Sequence, residues 1–373
     1  AKGENMEALV IDGGKPLYGT VTIGGAKNAV LPILAATVMG GGTYMLHQCP
    51  DITDVALAAE IIEYLGGTVK RFGKTLWVDT ADVCRWTVPA ALMARMRASV
   101  LFLGALLARF GKAVLAMPGG CPLGRRPIDL HLKGFQAMGV KSRQEHGMVE
   151  LSVKCLKGRE IYLDFPSVGA TENIILAATC AMGTTIISNA AREPEISDLA
   201  DFLNRCGARI RGAGDSTVVI EGVTKLTPAE HTVIPDRIVA STYLIAAAMT
   251  GGKIIINSIV PSHIAPIIQP LRESGCSIDV NKKQVVLESP KTLKRIRMIR
   301  TMPHPGFPTD VQAQIMALTT VADGTSVIVE NIFESRYKHI GEKGCAVCDA
   351  VKNGQIEQTR YNSYMTIFDE LKD

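Results

Sequence analysis

Four times along this chain of 373 residues an amphipathic stretch ends in glycine: at Leu65-Gly66-Gly67, Met138-Gly139-Val140, Cys206-Gly207-Ala208 and Ser274-Gly275-Cys276. The spacing is about seventy residues each time, and self-similarity at a fixed period constrains a fold more than any single motif. Each glycine closes a helical pattern (Asp54 to Leu65, Leu130 to Met138, Ile196 to Cys206 and Ile264 to Ser274), as a C-cap glycine does. Short alternating stretches that read as strands follow each one. Upstream of each lies a second helical stretch, rich in small and apolar residues: Lys27 to Met39, Arg97 to Ala108, Thr171 to Met182 and Ala240 to Thr250. A further copy begins at Asp310 with DVQAQIMALTTVADGTSVIVENIF. The unit reads strand, helix, strand, helix, strand pair, repeated about five times.

Such a unit exceeds the roughly 20 to 50 residues of a solenoid repeat, and a helix that is apolar all round belongs inside a core. The pattern predicts an α/β fold of pseudo-symmetric globules with internal helices under sheets. With 47% hydrophobic and 20% charged residues, the chain has enough apolar material for two of them. Residues 22–234 are expected to form a first globule from three units, and residues 1–21 plus 235–373 a second. A cleft between them is the natural ligand site. After His339 the pattern stops, and the tail is not another repeat.

The formal charge of +4 is spread along the chain without a basic run, which argues against a nucleic-acid surface. The first residues lack a basic and then apolar leader pattern, and the longest apolar stretch, Val100 to Met117, is interrupted by Arg109 and Lys112. No membrane insertion is expected. Nine irregularly spaced cysteines fit a reducing compartment, so the expected location is the cytoplasm. Cys345 and Cys348 lack the partner pair that a zinc site needs, and no metal site is expected.

Two segments carry the strongest chemical signals. Gly24-Gly25-Ala26-Lys27-Asn28-Ala29 joins a strand to a helix, where backbone N–H groups and Lys27 can meet an anion; a tight turn with a surface lysine is the plainer reading. Met117 to His131 contains Gly119, Gly120, Cys121, Gly124, Arg125 and Arg126. A thiol beside two arginines on a glycine-rich loop is biased toward thiolate or meets an anionic substrate, and that reading is preferred to a filler cysteine with solvated arginines. Pairing of Cys121 with His131 as nucleophile and base has no spacing to support it. Arg97 opens an otherwise apolar helix, either at the mouth of a site or snorkelling. Asp310 begins another such helix and, on residues alone, reads as a cap. Ser167-Val168-Gly169-Ala170-Thr171, Arg192-Glu193-Pro194-Glu195 and Pro235-Asp236-Arg237 lie at equivalent edges of the repeats.

Taken together, GGAKNAVLPILAA, MRAS, PGGCPLGRRPIDLH, SVGAT, AAREPEI, PDRI, HPGFPTDVQAQ and FESRYKH, in this order, resemble the UDP-N-acetylglucosamine 1-carboxyvinyltransferase family from about Met6 to His339. The resemblance implies a fold of two inside-out α/β barrels. It also implies transfer of the enolpyruvyl group of phosphoenolpyruvate to the 3′-hydroxyl of UDP-N-acetylglucosamine with release of phosphate, the first committed step of peptidoglycan synthesis. No metal or organic cofactor is implied. On the same resemblance Cys121 is the general acid, forms an adduct with phosphoenolpyruvate and is alkylated by fosfomycin. Lys27, Arg97 and Arg126 would hold phosphate and carboxylate, and Asn28 and Asp310 would contact the sugar, with Asp310 taking the hydroxyl proton rather than serving as a cap alone. Arg126, Pro127, Ile128, Asp129 and Leu130, with Ser167, Val168, Gly169 and Ile332, would line the nucleotide pocket.

One departure stands out: the family's sixth unit, with an arginine that grips phosphoenolpyruvate, has no counterpart after His339, and Arg360 stands in an unrelated context. The second globule is expected to be incomplete and open to self-association. A catalytically silent UDP-N-acetylglucosamine-binding paralogue is the alternative function, and shikimate 3-phosphate as acceptor is a third reading that the PGGC loop opposes.

Overall fold

The computed structural model describes residues 12–116, 128–145 and 147–333, together with 336, 337, 353 and 354. Five units follow one another. The first holds β1 (Tyr18–Thr22), α1 (Lys27–Gly40), β2 (Thr43–His47), α2 (Thr53–Leu65), β3 (Thr68–Phe72) and β4 (Thr75–Asp79). The second holds β5 (Thr87–Val88), α3 (Ala90–Met93), a 3₁₀ turn (Arg97–Leu101), α4 (Phe102–Phe110), β6 (Lys112–Ala116), α5 (Asp129–Ala137), β7 (Lys141–Glu145) and β8 (Met148–Ser152). The third holds β9 (Glu160–Tyr162), α6 (Val168–Thr179), β10 (Thr184–Ser188), α7 (Pro194–Arg205), β11 (Arg209–Arg211) and β12 (Thr217–Glu221). The fourth holds β13 (Glu230–Thr232), α8 (Arg237–Met249), β14 (Lys253–Asn257), a 3₁₀ turn (Pro261–Ile264), α9 (Ala265–Glu273), β15 (Ser277–Asn281) and β16 (Gln284–Glu288). The fifth holds β17 (Met298–Arg300), a 3₁₀ turn (Thr309–Val311), α10 (Gln312–Thr320) and β18 (Val327–Val329).

The glycine signal has one physical cause in all four places. Gly66, Gly139, Gly207 and Gly275 take φ of 111°, 92°, 99° and 97°, the left-handed region that favours glycine. The next amide in each case bonds five residues back: Gly67 to Ile62, Val140 to Phe135, Ala208 to Leu203 and Cys276 to Leu271. This satisfies helix-end carbonyls and turns the chain into the strand pair.

Two helices start earlier than their apolar runs predict, for local reasons. Ser167 caps α6, its Oγ accepting from the Ala170 amide at 3.3 Å, so the helix begins at Val168 rather than Thr171. Asp236 caps α8, so that helix begins at Arg237 rather than Ala240. The expected helix from Arg97 opens as a 3₁₀ turn before α4.

Helices lie inside and sheets outside, as the α/β reading requires. In each four-stranded sheet an antiparallel hairpin pairs with a central strand, and a leading strand lies parallel on that strand's other edge. The sheets stay separate among the described residues; none closes into a hydrogen-bonded barrel. Buried apolar side chains form two clusters. One spans Ala26 to Val233 around α1, α4 and α6, and the other joins Ile23 to the Ala240–Leu318 region around α8 and α10. Among the described residues, no helix is long and apolar enough to cross a membrane.

Two leading strands change partners across this division. β1 pairs with β14, and β13 pairs with β2, so the chain crosses between the cores twice. The crossings run side by side: Ala26 N donates to Ile234 O at 2.8 Å and Asp236 N to Gly24 O at 2.9 Å. At Gly25 an added Cβ would lie 1.9 Å from the Gln48 carbonyl oxygen, so no other residue fits there without moving backbone.

That contact predicts that Gly25→Ala lowers the urea stability by roughly 3 kcal/mol or more, as a buried backbone clash does. Gly73→Ala, at φ 60° with nothing within 4 Å of its Cβ position, should lose only about 1 kcal/mol.

Candidate functional site

Three of the segments marked in the sequence meet at one end of the first cluster. The buried side chain of Asn173 in α6 joins them. Its Nδ2 donates to Val100 O at 3.1 Å and to His131 Nδ1 at 2.8 Å, and its Oδ1 accepts from the Gly104 amide at 2.8 Å. The 3₁₀ turn opened by Arg97 and the starts of α5 and α6 are thereby fixed together. A Cβ on Gly169 would stand 3.2 Å from His131 Cε1, which shows how closely α5 and α6 approach. Ile128 is buried, Asp129 begins α5 and is exposed, Leu130 is half-buried, and Ser167, Val168 and Gly169 begin α6. Helix N-termini carry unpaired N–H groups and partial positive charge, so this end of the core favours an anion.

Lys27 and Asn28 stand where the chain crosses between the clusters. The Lys27 amide donates to Asp236 Oδ2 at 3.2 Å, and its Nζ pairs with Asp54 Oδ2 at 3.2 Å. That pair is weak because the lysine side chain is 47% exposed, so the ammonium is available to a bound anion.

Asp310 lies across the junction in the second cluster. Its carboxylate makes no cap bond to its own 3₁₀ turn. Instead Oδ1 accepts from Arg336 Nη2 at 3.3 Å, and the same nitrogen donates to Thr309 O at 2.8 Å. The cap reading taken from residues alone is therefore corrected. Ile332 is half-buried nearby, its amide donating to Glu330 Oε1 at 2.9 Å, and Glu330 also accepts from Thr309 Oγ1 at 3.0 Å. Cys121, Arg126 and Pro127 lie outside the described residues, as do the chain after Tyr337, apart from Asn353 and Gly354, and the side chain of Arg97.

Between these parts sits a polar cluster that draws on two of the repeat-edge segments, Arg192 to Glu195 and Pro235 to Arg237. Glu172 of α6, with Glu193 and Glu195 at the start of α7, comes from the third unit; Arg237 and His263 come from the fourth and His304 from the fifth. Arg237 pairs with Glu195 through two nitrogens, and His304 N donates to Glu193 Oε1 at 3.3 Å. Burial, with Glu195 and Glu193 adding repulsion, pushes the Glu172 carboxyl well above its ordinary value. Burial also raises Glu193. Burial and then Arg237 push His304 down to about 4 and lower His263 as well.

The profile of the family described as EPSP synthase (3-phosphoshikimate 1-carboxyvinyltransferase) matches residues 11–347. The chain belongs to the EPSP synthase family. Among its relatives, the UDP-N-acetylglucosamine 1-carboxyvinyltransferase 2 of Caldanaerobacter subterraneus subsp. tengcongensis is 49% identical over 355 residues, covering 95% of this chain and 85% of the relative. The UDP-N-acetylglucosamine 1-carboxyvinyltransferase 1 of Symbiobacterium thermophilum is 49% identical over 338 residues, covering 89% and 76%. Among solved structures, the enolpyruvyl transferase NikO from Streptomyces tendae superposes with a TM-score of 0.76 at 26% identity, over 85% of this chain and 76% of that one. EPSP synthase from Acinetobacter baumannii shares the fold, with a TM-score of 0.64 at 18% identity, over 85% of this chain and 74% of its own. Family membership makes the chain a transferase.

Glu172 supplies a pH test. Its carboxyl binds a proton more tightly in the folded chain than in the unfolded one, where the ordinary value is 4.5. The stability linked to it is fully present below that value and is lost as pH rises through the raised folded one. Glu172→Gln is accordingly predicted to resist urea better than the parent at pH 8, with the gap closing as pH falls toward 4.5. A gap that is constant with pH would contradict the buried, protonated assignment.

Proposed function

We propose that the protein transfers the enolpyruvyl group of phosphoenolpyruvate to the 3′-hydroxyl of UDP-N-acetylglucosamine. The observation that carries this reading is 49% identity over 95% of the chain to a relative named for that reaction. The geometry supports it. Anion-favouring helix starts stand on one side of the junction between the clusters, and a carboxylate stands on the other.

In this reading Lys27, Arg97 and Arg126 neutralise the phosphate and carboxylate of phosphoenolpyruvate. Asn28 and Asp310 hold the sugar, while Arg126 to Leu130, Ser167 to Gly169 and Ile332 line the nucleotide pocket. Asp310 accepts the proton of the 3′-hydroxyl as its oxygen bonds to C2 of phosphoenolpyruvate, and Cys121 gives a proton to C3. Loss of a C3 proton then expels phosphate, restores the double bond and leaves the enol ether. Acid and base come from opposite sides of the junction, so closure of residues 22–234 on residues 1–21 plus 235–373 assembles the site and excludes water. The reading places the protein in the cytoplasm at the entry to peptidoglycan synthesis, with roles in cell shape and division and with Cys121 as the thiol that fosfomycin alkylates.

Phosphate release from phosphoenolpyruvate is predicted to require UDP-N-acetylglucosamine, to ignore shikimate 3-phosphate and to stop after fosfomycin treatment. Cys121→Ser and Asp310→Asn should each lose about a hundredfold or more in kcat, the scale of a missing acid or base. A folded protein that binds UDP-N-acetylglucosamine and releases no phosphate would replace this reading with a binding role.

A further inference from the structure

The hydrogen bonds of Asn173 leave one place for the proton of His131. The Gly104 amide is a donor, so the Asn173 atom that faces it at 2.8 Å is the oxygen Oδ1. Val100 O is an acceptor, so the atom 3.1 Å from it is the nitrogen Nδ2. Two backbone groups thus fix which way the amide points, a choice the side chain alone would leave open. The same nitrogen lies 2.8 Å from His131 Nδ1 and has a second hydrogen to give. Nδ1 therefore accepts, and the ring carries its proton on Nε2.

The far edge of that ring bears on the start of α6. Gly169 and Asn173 stand four residues apart on one face of this helix, and His131 lies against that face. Of the described atoms, those within 4 Å of a Cβ built on Gly169 are His131 Cε1 at 3.2 Å and Nε2 at 3.5 Å. One ring is thus bonded to Asn173 at one end and in contact with Gly169 at the other. The surrounding helices leave no slack. A Cβ on Gly104 would lie 2.4 Å from Asn173 O and one on Gly134 2.4 Å from Ile174 Cδ1, so α4 and α5 each meet α6 at a glycine.

We propose that His131 is a positioning residue for the sugar nucleotide: held by Asn173 as the Nε2–H tautomer, its ring sets the spacing between the start of α6, with Ser167 to Gly169, and the start of α5, with Ile128 to Leu130. The inference rests on the nucleotide-pocket role given to those segments above. They come from different units, and a ligand that touches both binds well at one spacing. A spacing fixed before the ligand arrives saves binding energy and leaves the proton transfers at Cys121 and Asp310 unchanged.

The test measures acceptor-dependent phosphate release for the parent, His131→Asn, Gly169→Ala and the double variant, with thermal melts, calorimetric binding of UDP-N-acetylglucosamine and imidazole nitrogen NMR alongside. His131→Asn keeps an acceptor oxygen near the place of Nδ1 and removes the edge that bears on Gly169, whereas Gly169→Ala adds a methyl group against that edge. Each should raise KM for the sugar nucleotide about fivefold or more while kcat stays within about threefold. The added methyl fills the gap left by the shorter side chain, so the double variant should return to within about twofold of the parent KM. A double variant no better than the worse single one overturns the proposal, and so do a parent-like KM in His131→Asn and a loss confined to kcat. His131→Gln, which reaches the same edge with a nitrogen donor, guards against a folding artefact: its KM should lie below that of His131→Asn at any shared temperature, and the reverse order also overturns the idea. In the parent, His131 should show an unprotonated Nδ1 and a protonated Nε2; a proton on Nδ1 overturns the tautomer and the ring orientation with it. A parent chain that neither binds UDP-N-acetylglucosamine nor shows acceptor-dependent release overturns the proposed function itself, whereas an active parent with a failed rescue overturns only the role of His131.

Discussion

One carboxylate caps a buried helix in each of the two cores. Asp236 Oδ1 accepts from the Ile238 and Val239 amides at 2.8 and 3.0 Å, at the start of α8, and Oδ2 accepts from the Lys27 amide at 3.2 Å, at the start of α1. The first amides of a helix have no partner within it, and a side-chain cap that supplies one stabilises the helix by about 1 kcal/mol. One side chain meets that need for both cores, and it does so where the chain crosses between them. The backbone pairing of Gly24 and Ala26 with Asp236 and Ile234 holds the two crossings together, in space that only glycine at position 25 leaves open.

The site inherits its layout from this junction. Lys27 and Asn28 follow directly from one crossing and Arg237 from the other, so anion-binding and charge-pairing groups are placed by the same few bonds. The α7 start adds two further links, from Glu195 to Arg237 and from Glu193 to the His304 amide. Asp310 lies six residues beyond His304 in sequence and is held by Arg336. A change of angle at the junction would move Asp310 relative to the helix starts gathered by Asn173. The chemistry proposed here needs that relation to be reproducible.

What could be read from the sequence were features that local physics dictates. The four glycine caps, the buried small-residue helices and the hairpins after them were legible because each depends on residues within one turn or one strand. The start of α6 was misjudged by three residues because Ser167 caps outside the apolar run. Asp310 read as a cap because its partner, Arg336, is distant in sequence. Glu193, Glu195 and Arg237 stand in segments that the repeat marks as edges, but their pairing with one another and with Glu172 and His304 was not legible, because they come from three units and only tertiary packing brings them together. The loop with Cys121 and Arg126 was legible as chemistry but lies outside the described residues.

Amide hydrogen exchange at the crossing tests this account most directly. If the junction is the fixed point on which both cores and the site depend, the Ala26, Lys27 and Asp236 amides exchange only as slowly as the interiors of α1 and α8, through the same global opening. Exchange at those three amides orders of magnitude faster than in the two helices would show the crossing opening on its own, and would contradict the claim that it sets the geometry of the site.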